Sequence, residues 1–199
     1  MRSASFDRSE VVEKIMNAFW EHGYEATSIQ VLEGATGLKR QSLYNAFGNK
    51  DAMFELANDR YHDSISRKLL ATLDQDNPRA ALREFFAAQL AVLLDEGQPA
   101  GCFVAGAQQE LANRPGSDIG QRMGGLITEQ YDAIVVAFDR WKASGRLTAD
   151  ADPEALAAIV MSQLRGQSVL GRSPLATAII EKTAATLPHL FDRFLTPRS

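Results

Sequence analysis

Apolar residues recur along this chain at spacings of three and four, the period of an amphipathic helix. Val12, Ile15, Met16 and Phe19 repeat in this way, and so do Ile119, Met123, Leu126, Ile127, Ile134, Phe138 and Trp141. There is no Asn-Gly or Asp-Gly hairpin turn and no sustained alternation of apolar and polar residues, so no strand is predicted. Helix starts are marked by capping chemistry. Asp7 and Glu10 have the spacing of a capping box, and Thr27 and Gln30 repeat it. Asn77-Pro78, Asp152-Pro153 and Ser173-Pro174 each set a capping residue before a proline, whose missing N–H does no harm at the first helical position. Gly23, Gly37, Gly48, Gly97, Gly145 and Gly171 mark the stops. The pattern predicts nine helices, at about 8–22, 28–36, 39–46, 50–73, 78–96, 102–113, 118–144, 153–170 and 174–195. Pro188 should kink the last of them by freeing the Ala184 carbonyl. The fold class is all-α. Three short helices precede six that are mostly long, and the change of composition near residue 50 divides 1–50 from 51–199.

Residues 27–47 read as two short helices joined by a turn at Gly37. Ile29, Leu32 and Ala35 give the first an apolar face, and Leu38, Leu43 and Phe47 do the same for the second. The remaining face of the second helix carries Lys39, Arg40, Gln41, Ser42, Tyr44 and Asn45, side chains sized for base edges and phosphates. This fits a helix-turn-helix whose second helix enters the major groove of DNA. Charge supports the idea only locally. Residues 38–50 hold Lys39, Arg40 and Lys50 and no acid, while the first 60 residues hold seven basic and nine acidic side chains. The net charge of −4 argues against a wholly basic nucleic-acid coat and leaves room for such a patch.

The stretch Ala18-Phe19-Trp20-Glu21-His22-Gly23-Tyr24-Glu25-Ala26-Thr27-Ser28-Ile29, then Ala35-Thr36-Gly37-Leu38, then Ser42-Leu43-Tyr44-Asn45-Ala46-Phe47-Gly48-Asn49-Lys50, resembles the DNA-binding domain of tetracycline-repressor-type (TetR-like) regulators. The close match spans about 18–56. The resemblance implies an all-α homodimer, with residues 1–50 as the DNA-binding domain for a palindromic double-stranded operator. Residues 51–199 would then dimerise and bind a small, mostly apolar effector. It also implies a phosphate contact for Tyr44. Thr27, Ser28 and Lys50 lie at helix N-termini, which favour phosphate; Arg40, Gln41 and Asn45 are the candidate base readers. Two positions depart from the family pattern. Glu33 stands where a small or apolar residue is usual and must sit at the core's edge or be paired. Lys39 stands where Ser, Thr or Asn commonly caps the second helix, a loss of about 1 kcal/mol. A phosphate bound by Lys39 would offset that loss.

The resemblance places the effector between the middle helices. Phe86, Gln89, Leu90 and Leu93 form one stripe there; Phe103, Gly106, Gln109 and Glu110 a second; Met123, Leu126, Ile127, Gln130, Tyr131 and Ile134 a third. Apolar walls with a few amides suit a medium-sized, mostly apolar ligand, although core packing accounts for many of the same residues. Glu110 could equally pair with Arg165. Cys102 starts the sixth helix, where a thiol facing unpaired N–H groups becomes reactive. A redox- or electrophile-sensing repressor is therefore an alternative, alongside a plain packed cysteine. A helical ligand-binding protein without DNA binding is another. Leu156, Ile159, Val160, Gln163, Leu164 and Gln167, with Ile179, Thr183, Leu187, Leu190, Phe191 and Phe194, stripe the last two helices and read as a dimer-forming four-helix bundle.

Composition narrows the rest. With 199 residues, 45% apolar and 23% charged, the chain can bury roughly 70% of its unfolded surface. A single cysteine excludes a disulfide framework or a Cys-rich zinc module. His22, His62 and His189 have no ligand spacing, so neither metal nor cofactor is expected, and no catalytic constellation points to an enzyme. The longest apolar run, Ala155 to Met161, is far short of a bilayer span, and Met1 to Asp7 lacks a signal-peptide core. The expectation is a cytoplasmic protein with no membrane partner.

Overall fold

The computed structural model describes residues 6–111 and 118–197. Among these the regular elements are helical: α1 (Arg8–Ala26), α2 (Ile29–Thr36), α3 (Arg40–Phe47), α4 (Lys50–Tyr61), α5 (Arg67–Ala71), α6 (Pro78–Leu93), α7 (Phe103–Leu111), α8 (Asp118–Ala143), α9 (Pro153–Leu170) and α10 (Thr177–Leu190). The end expected for the sixth helix, 112–113, lies outside the described residues. An isolated antiparallel bridge, Leu147 with Leu195, ties the C-terminal chain to the turn after α8.

Most starts follow the capping chemistry. The Asp7 carboxylate accepts from the N–H groups of Ser9 and Glu10, Asn77 from Arg79 and Ala80, and Asp152 from Glu154 and Ala155. Four features differ from the pattern's expectation. Gly23 does not end α1: it kinks the helix at φ 80, a left-handed value that favours glycine, and one more turn follows. The cap of α2 is Ser28, not Thr27, and its hydroxyl accepts from the Val31 N–H. The predicted 50–73 helix is continuous but contains a π turn, His62–Ser66, between α4 and α5. The last predicted helix opens with a 3-10 turn, Pro174–Ala176, and ends with another, Asp192–Phe194; Pro188 lies inside α10 just before its end at Leu190.

Apolar faces meet in two main cores. The first gathers Ile15, Phe19 and Trp20 of α1, Leu32 of α2, Leu43 and Phe47 of α3, and Met53, Phe54, Ala57 and Tyr61 of α4. It does not stop at the small domain. Phe103 of α7 stacks on both Phe54 (centroids 5.3 Å apart) and Tyr61 (5.4 Å), and Leu111, Ile119 and Met123 join the same cluster. The second core packs Leu82, Phe85 and Phe86 of α6 against Ile134, Phe138 and Trp141 of α8, Leu156 and Val160 of α9, and Leu187 of α10. The N-terminal helices are thus fastened to the larger domain through α4 and α7. No helix among the described residues is long and apolar enough to cross a membrane.

Candidate functional site

The helix-turn-helix is built by α2, a turn at Gly37 and α3. Gly37 takes φ 74 and donates its N–H to the Glu33 carbonyl at 2.9 Å, closing α2. The buried Thr36 hydroxyl donates to the Leu32 carbonyl at 2.6 Å and accepts from the Leu38 N–H at 3.2 Å, which fixes the bend. Leu43 and Phe47 anchor α3 inward, so Arg40, Gln41, Ser42 and Asn45 stand exposed on its outer face, with Tyr44 half-buried beside them. The face is ordered along its length. The Gln41 amide donates to Asn45 Oδ1 at 2.9 Å, and the Arg40 guanidinium lies 5.3 Å from the centroid of the Tyr44 ring.

Both departures from the family pattern resolve in one contact. Lys39 provides no side-chain cap for α3; the Glu33 carboxylate does, accepting from the Arg40 N–H at 2.9 Å. Glu33 was expected to be paired or at the core's edge, and it is paired, with the backbone N–H that the missing cap leaves open. The cap therefore exists without a phosphate. A second contact went unforeseen: Arg8 of α1 donates to the Ala46 carbonyl at 2.7 Å and lies 4.7 Å from the centroid of the Phe47 ring, holding the C-terminal end of α3. The only signal for it in the sequence is an arginine in the first turn of α1.

Other DNA candidates lie as follows. Ser28 and Lys39 are exposed at the starts of α2 and α3. Lys50, at the start of α4, donates to the Glu25 carbonyl at 3.3 Å and lies 4.4 Å from the centroid of the Tyr24 ring, so it joins α4 to the end of α1. The side chain of Thr27 is not available to DNA. It is 0% exposed, and its hydroxyl donates to the Gly23 carbonyl at 2.5 Å. It seals the bend of α1 instead.

A small, partly open cavity of about 30 Å³ lies between the junction of α4 and α5, α6, the start of α7, α8 and α9. Of the effector-pocket candidates, Gln89, Leu93, Cys102 and Gln130 line it. The remaining candidates are elsewhere. Phe86 and Ile134 are fully buried in the second core, with Leu90, Ile127 and Tyr131 packed on it; Phe103, Met123 and Leu126 belong to the first. Gly106 faces the Arg172 side chain, and Gln109 is exposed. Glu110 does not pair with Arg165. Its carboxylate accepts from the Glu25 N–H at 3.0 Å and fills the space beside Gly23, so α7 grips the bend of α1. The sequence reading missed Tyr61, Ile65, Ser66 and Leu69 on one wall and Leu164, Arg165 and Ser168 on the other. Met161, Arg165 and Ser168 have helical spacing, so an arginine on an otherwise apolar stripe was the available signal.

The polar groups around this cavity are unevenly matched. The Tyr61 hydroxyl donates to Cys102 Sγ at 3.2 Å. Burial pushes the Tyr61 phenol well above the ordinary tyrosine value, and Cys102 beside it pushes the same way. Arg165 donates to Gln130 Oε1, and its buried Nε has no partner among the described residues. Burial draws the Arg165 guanidinium below its ordinary value, against the opposing influence of Cys102 and Tyr61. Gln89 donates to the Leu164 carbonyl at 3.0 Å, leaving its buried Oε1 without a partner among the described residues.

On α9 and α10 the expected interface residues fall on two faces. Leu156, Val160, Leu164, Gln167, Leu187 and Phe191 are buried within the subunit, because the same helices pack on α6 and α8. Phe194 packs half-buried on the second core. Ile159, Ile179 and Leu190 are exposed, and Gln163, Ile179, Thr183 and Leu190 line a surface groove of about 580 Å³.

Comparison with known proteins bears on the assembled site. Residues 11–57 match the model for bacterial regulatory proteins of the tetR family, and residues 78–176 match the tetracyclin repressor-like C-terminal domain. The chain belongs to the TetR family. It is 31% identical over 196 residues to the HTH-type transcriptional repressor ComR of Escherichia coli (strain K12), covering 98% of this chain and 93% of ComR. It is 27% identical over 165 residues to the HTH-type transcriptional repressor DhaR of Mycobacterium sp. (strain GP1), covering 80% of this chain and 79% of DhaR. A cysteine mutant of the TetR family regulator CifR, solved with 26 bp of double-stranded operator DNA, superposes with a TM-score of 0.82. It is 28% identical, covering 93% of this chain and 98% of CifR. The TetR family is one of transcriptional regulators, not enzymes, and this member carries the DNA-binding fold of its repressor relatives.

Proposed function

We propose that this TetR-family regulator binds a palindromic operator as a homodimer and leaves it when a small effector enters the small cavity. The observation that carries the reading is the α3 face: exposed Arg40, Gln41, Ser42 and Asn45 on a helix held at its start by Glu33 and at its end by Arg8. A helix fixed at both ends presents base-reading side chains at little entropic cost. The operator-bound state of CifR, a protein of the same fold, supports it. Two recognition helices must stand about 34–36 Å apart to reach successive major grooves, and the exposed apolar face of α9 and α10 suits the pairing that would set this distance. Residues 1–50 serve DNA and residues 51–199 serve effector and partner, the regulator acting in the cytoplasm. The test is operator binding by gel shift. Arg40→Ala is expected to cost about 1–3 kcal/mol and to relax preference at one base position of each half-site; wild-type affinity in this variant would remove α3 from the major groove.

A second reading is favoured by the contact between the Tyr61 hydroxyl and Cys102 Sγ, which holds the chain's one thiol at the cavity wall. In that reading modification of Cys102, rather than reversible binding, releases the operator. Cys102→Ser separates the two, since release by thiol-directed electrophiles would vanish while release by reversible ligands would persist.

A further inference from the structure

We infer that the effector is a small organic anion: a carboxylate seated on Arg165, with a hydroxyl or N–H donor beside it for Gln89 and a short apolar remainder. This rests on the ligand-responsive reading above and names the chemistry of its site.

The cavity wall carries an unbalanced charge. Arg165 stands in the cavity wall on α9, and its guanidinium is protonated at any ordinary pH. A cation drawn out of water normally has an acid as partner, because its desolvation is otherwise uncompensated. Among the described residues no carboxylate lies within ion-pair distance of Arg165. Gln130 is neutral, and the ionisable groups that bear on Arg165 are Cys102 and Tyr61. Tyr61 stays a neutral phenol and cannot supply the charge. Among the described residues the Nε donor has no acceptor either. A carboxylate supplies both the missing charge and the missing acceptor, in the planar geometry that a guanidinium favours.

The second requirement comes from Gln89. This residue is 2% exposed, and its amide orientation is fixed because its nitrogen must face the Leu164 carbonyl. Its Oε1 is therefore an acceptor with no donor among the described residues. A carboxylate alone cannot satisfy it; a donor on the ligand can. The third comes from the rest of the wall, where Ile65, Leu69, Val92 and Leu93 offer an apolar surface. A cavity of about 30 Å³ admits one water-sized group, so a carboxylate with a tail must widen it. Ile65 and Ser66, part of the wall that has to yield, lie in the π turn that continues α4. Since α4 packs on α1, the space made for the ligand is taken from the element that carries the DNA-binding helices.

The experiment is calorimetric titration of the full-length protein with hexanoate, 2-hydroxyhexanoate and hexanamide, with a gel shift on the same samples. Hexanoate is expected to bind and hexanamide to bind at least about tenfold more weakly, the worth of a charge-assisted hydrogen bond. The 2-hydroxy acid is expected to exceed hexanoate. Arg165→Gln should lose the preference for acid over amide, and Arg165→Lys should retain part of it; a melt without ligand confirms that each variant is folded. The inference is overturned if hexanamide binds as tightly as hexanoate, if folded Arg165→Gln keeps the preference, or if neither acid gives saturable heat up to about 10 mM. An advantage absent from the 2-hydroxy acid overturns the role of Gln89. Because binding is read without DNA, these results stand apart from operator binding, whose loss in the wild-type gel shift would instead sink the repressor reading.

Discussion

Glu33 shows how one side chain can answer two irregularities. A carboxylate in α2 and a lysine at the cap of α3 each run against local preference, and the carboxylate supplies the cap that the lysine does not, accepting from the Arg40 N–H seven residues on. Glu33→Ala should cost about 1 kcal/mol, seen as a fall of several degrees in the melting temperature. Adding Lys39→Ser should recover most of the loss, by restoring an ordinary cap; a double variant no more stable than the single one would show that Glu33 stabilises by other means. Both irregularities were visible in the sequence, but their mutual solution was not, because it depends on how the turn at Gly37 folds α2 back over the start of α3. Thr27 teaches the converse. Its spacing from Gln30 fits a capping box, yet burial of its hydroxyl against the Gly23 carbonyl gives the cap to Ser28. A pattern that tolerates a one-residue shift cannot decide between neighbours that can both cap.

At the scale of elements, the joint between α7 and α1 is the sharpest feature. Gly23 adopts φ 80, and Glu110 occupies the space where any other residue would place its Cβ. Gly23→Ala should therefore destabilise by more than about 1 kcal/mol, through backbone strain and through expulsion of the Glu110 carboxylate. Glu110→Ala leaves the backbone undisturbed and loosens the same joint. It should preserve operator binding while reducing the effect of ligand on it, a coupling of typically 5–150-fold; unchanged coupling, measured by titrating effector with and without operator, would exclude α7 from the relay. Helices themselves are legible, since spacings of three and four run through Val12, Ile15, Met16 and Phe19 of α1. The π turn at His62–Ser66 is not. It inserts a wider turn without breaking the helix, and sequence period alone does not register it.

For the whole molecule, on the proposed reading, the helix-turn-helix end of the chain serves DNA and the α9–α10 end serves pairing. Ile179→Glu combined with Leu190→Glu, both on the exposed face of α10, should convert a dimer into a monomer in sedimentation at micromolar concentration and lower operator affinity, with helical content intact. A variant that sediments as wild type would move the interface to another surface. The stripes on α9 and α10 are mostly apolar, but those helices have one apolar side toward α6 and α8 and another toward solvent. Periodicity identifies such residues without saying which neighbour they meet, so Val160 and Leu164, which read as interface residues in the sequence, lie inward. Gln89 and Gln130 of the cavity are legible in the sequence as amides on apolar stripes; Arg165 is not, because the stripe on its helix reads as a dimer interface. One property of that cavity sets a clock. Packed helices close it down to the room of a single water, so any larger visitor must wait for them to part. The rate of entry then follows how often the walls open, and beyond a certain concentration more ligand brings no faster response. Helix opening runs on microseconds to milliseconds or slower, and a tight final complex is compatible with a slow beginning.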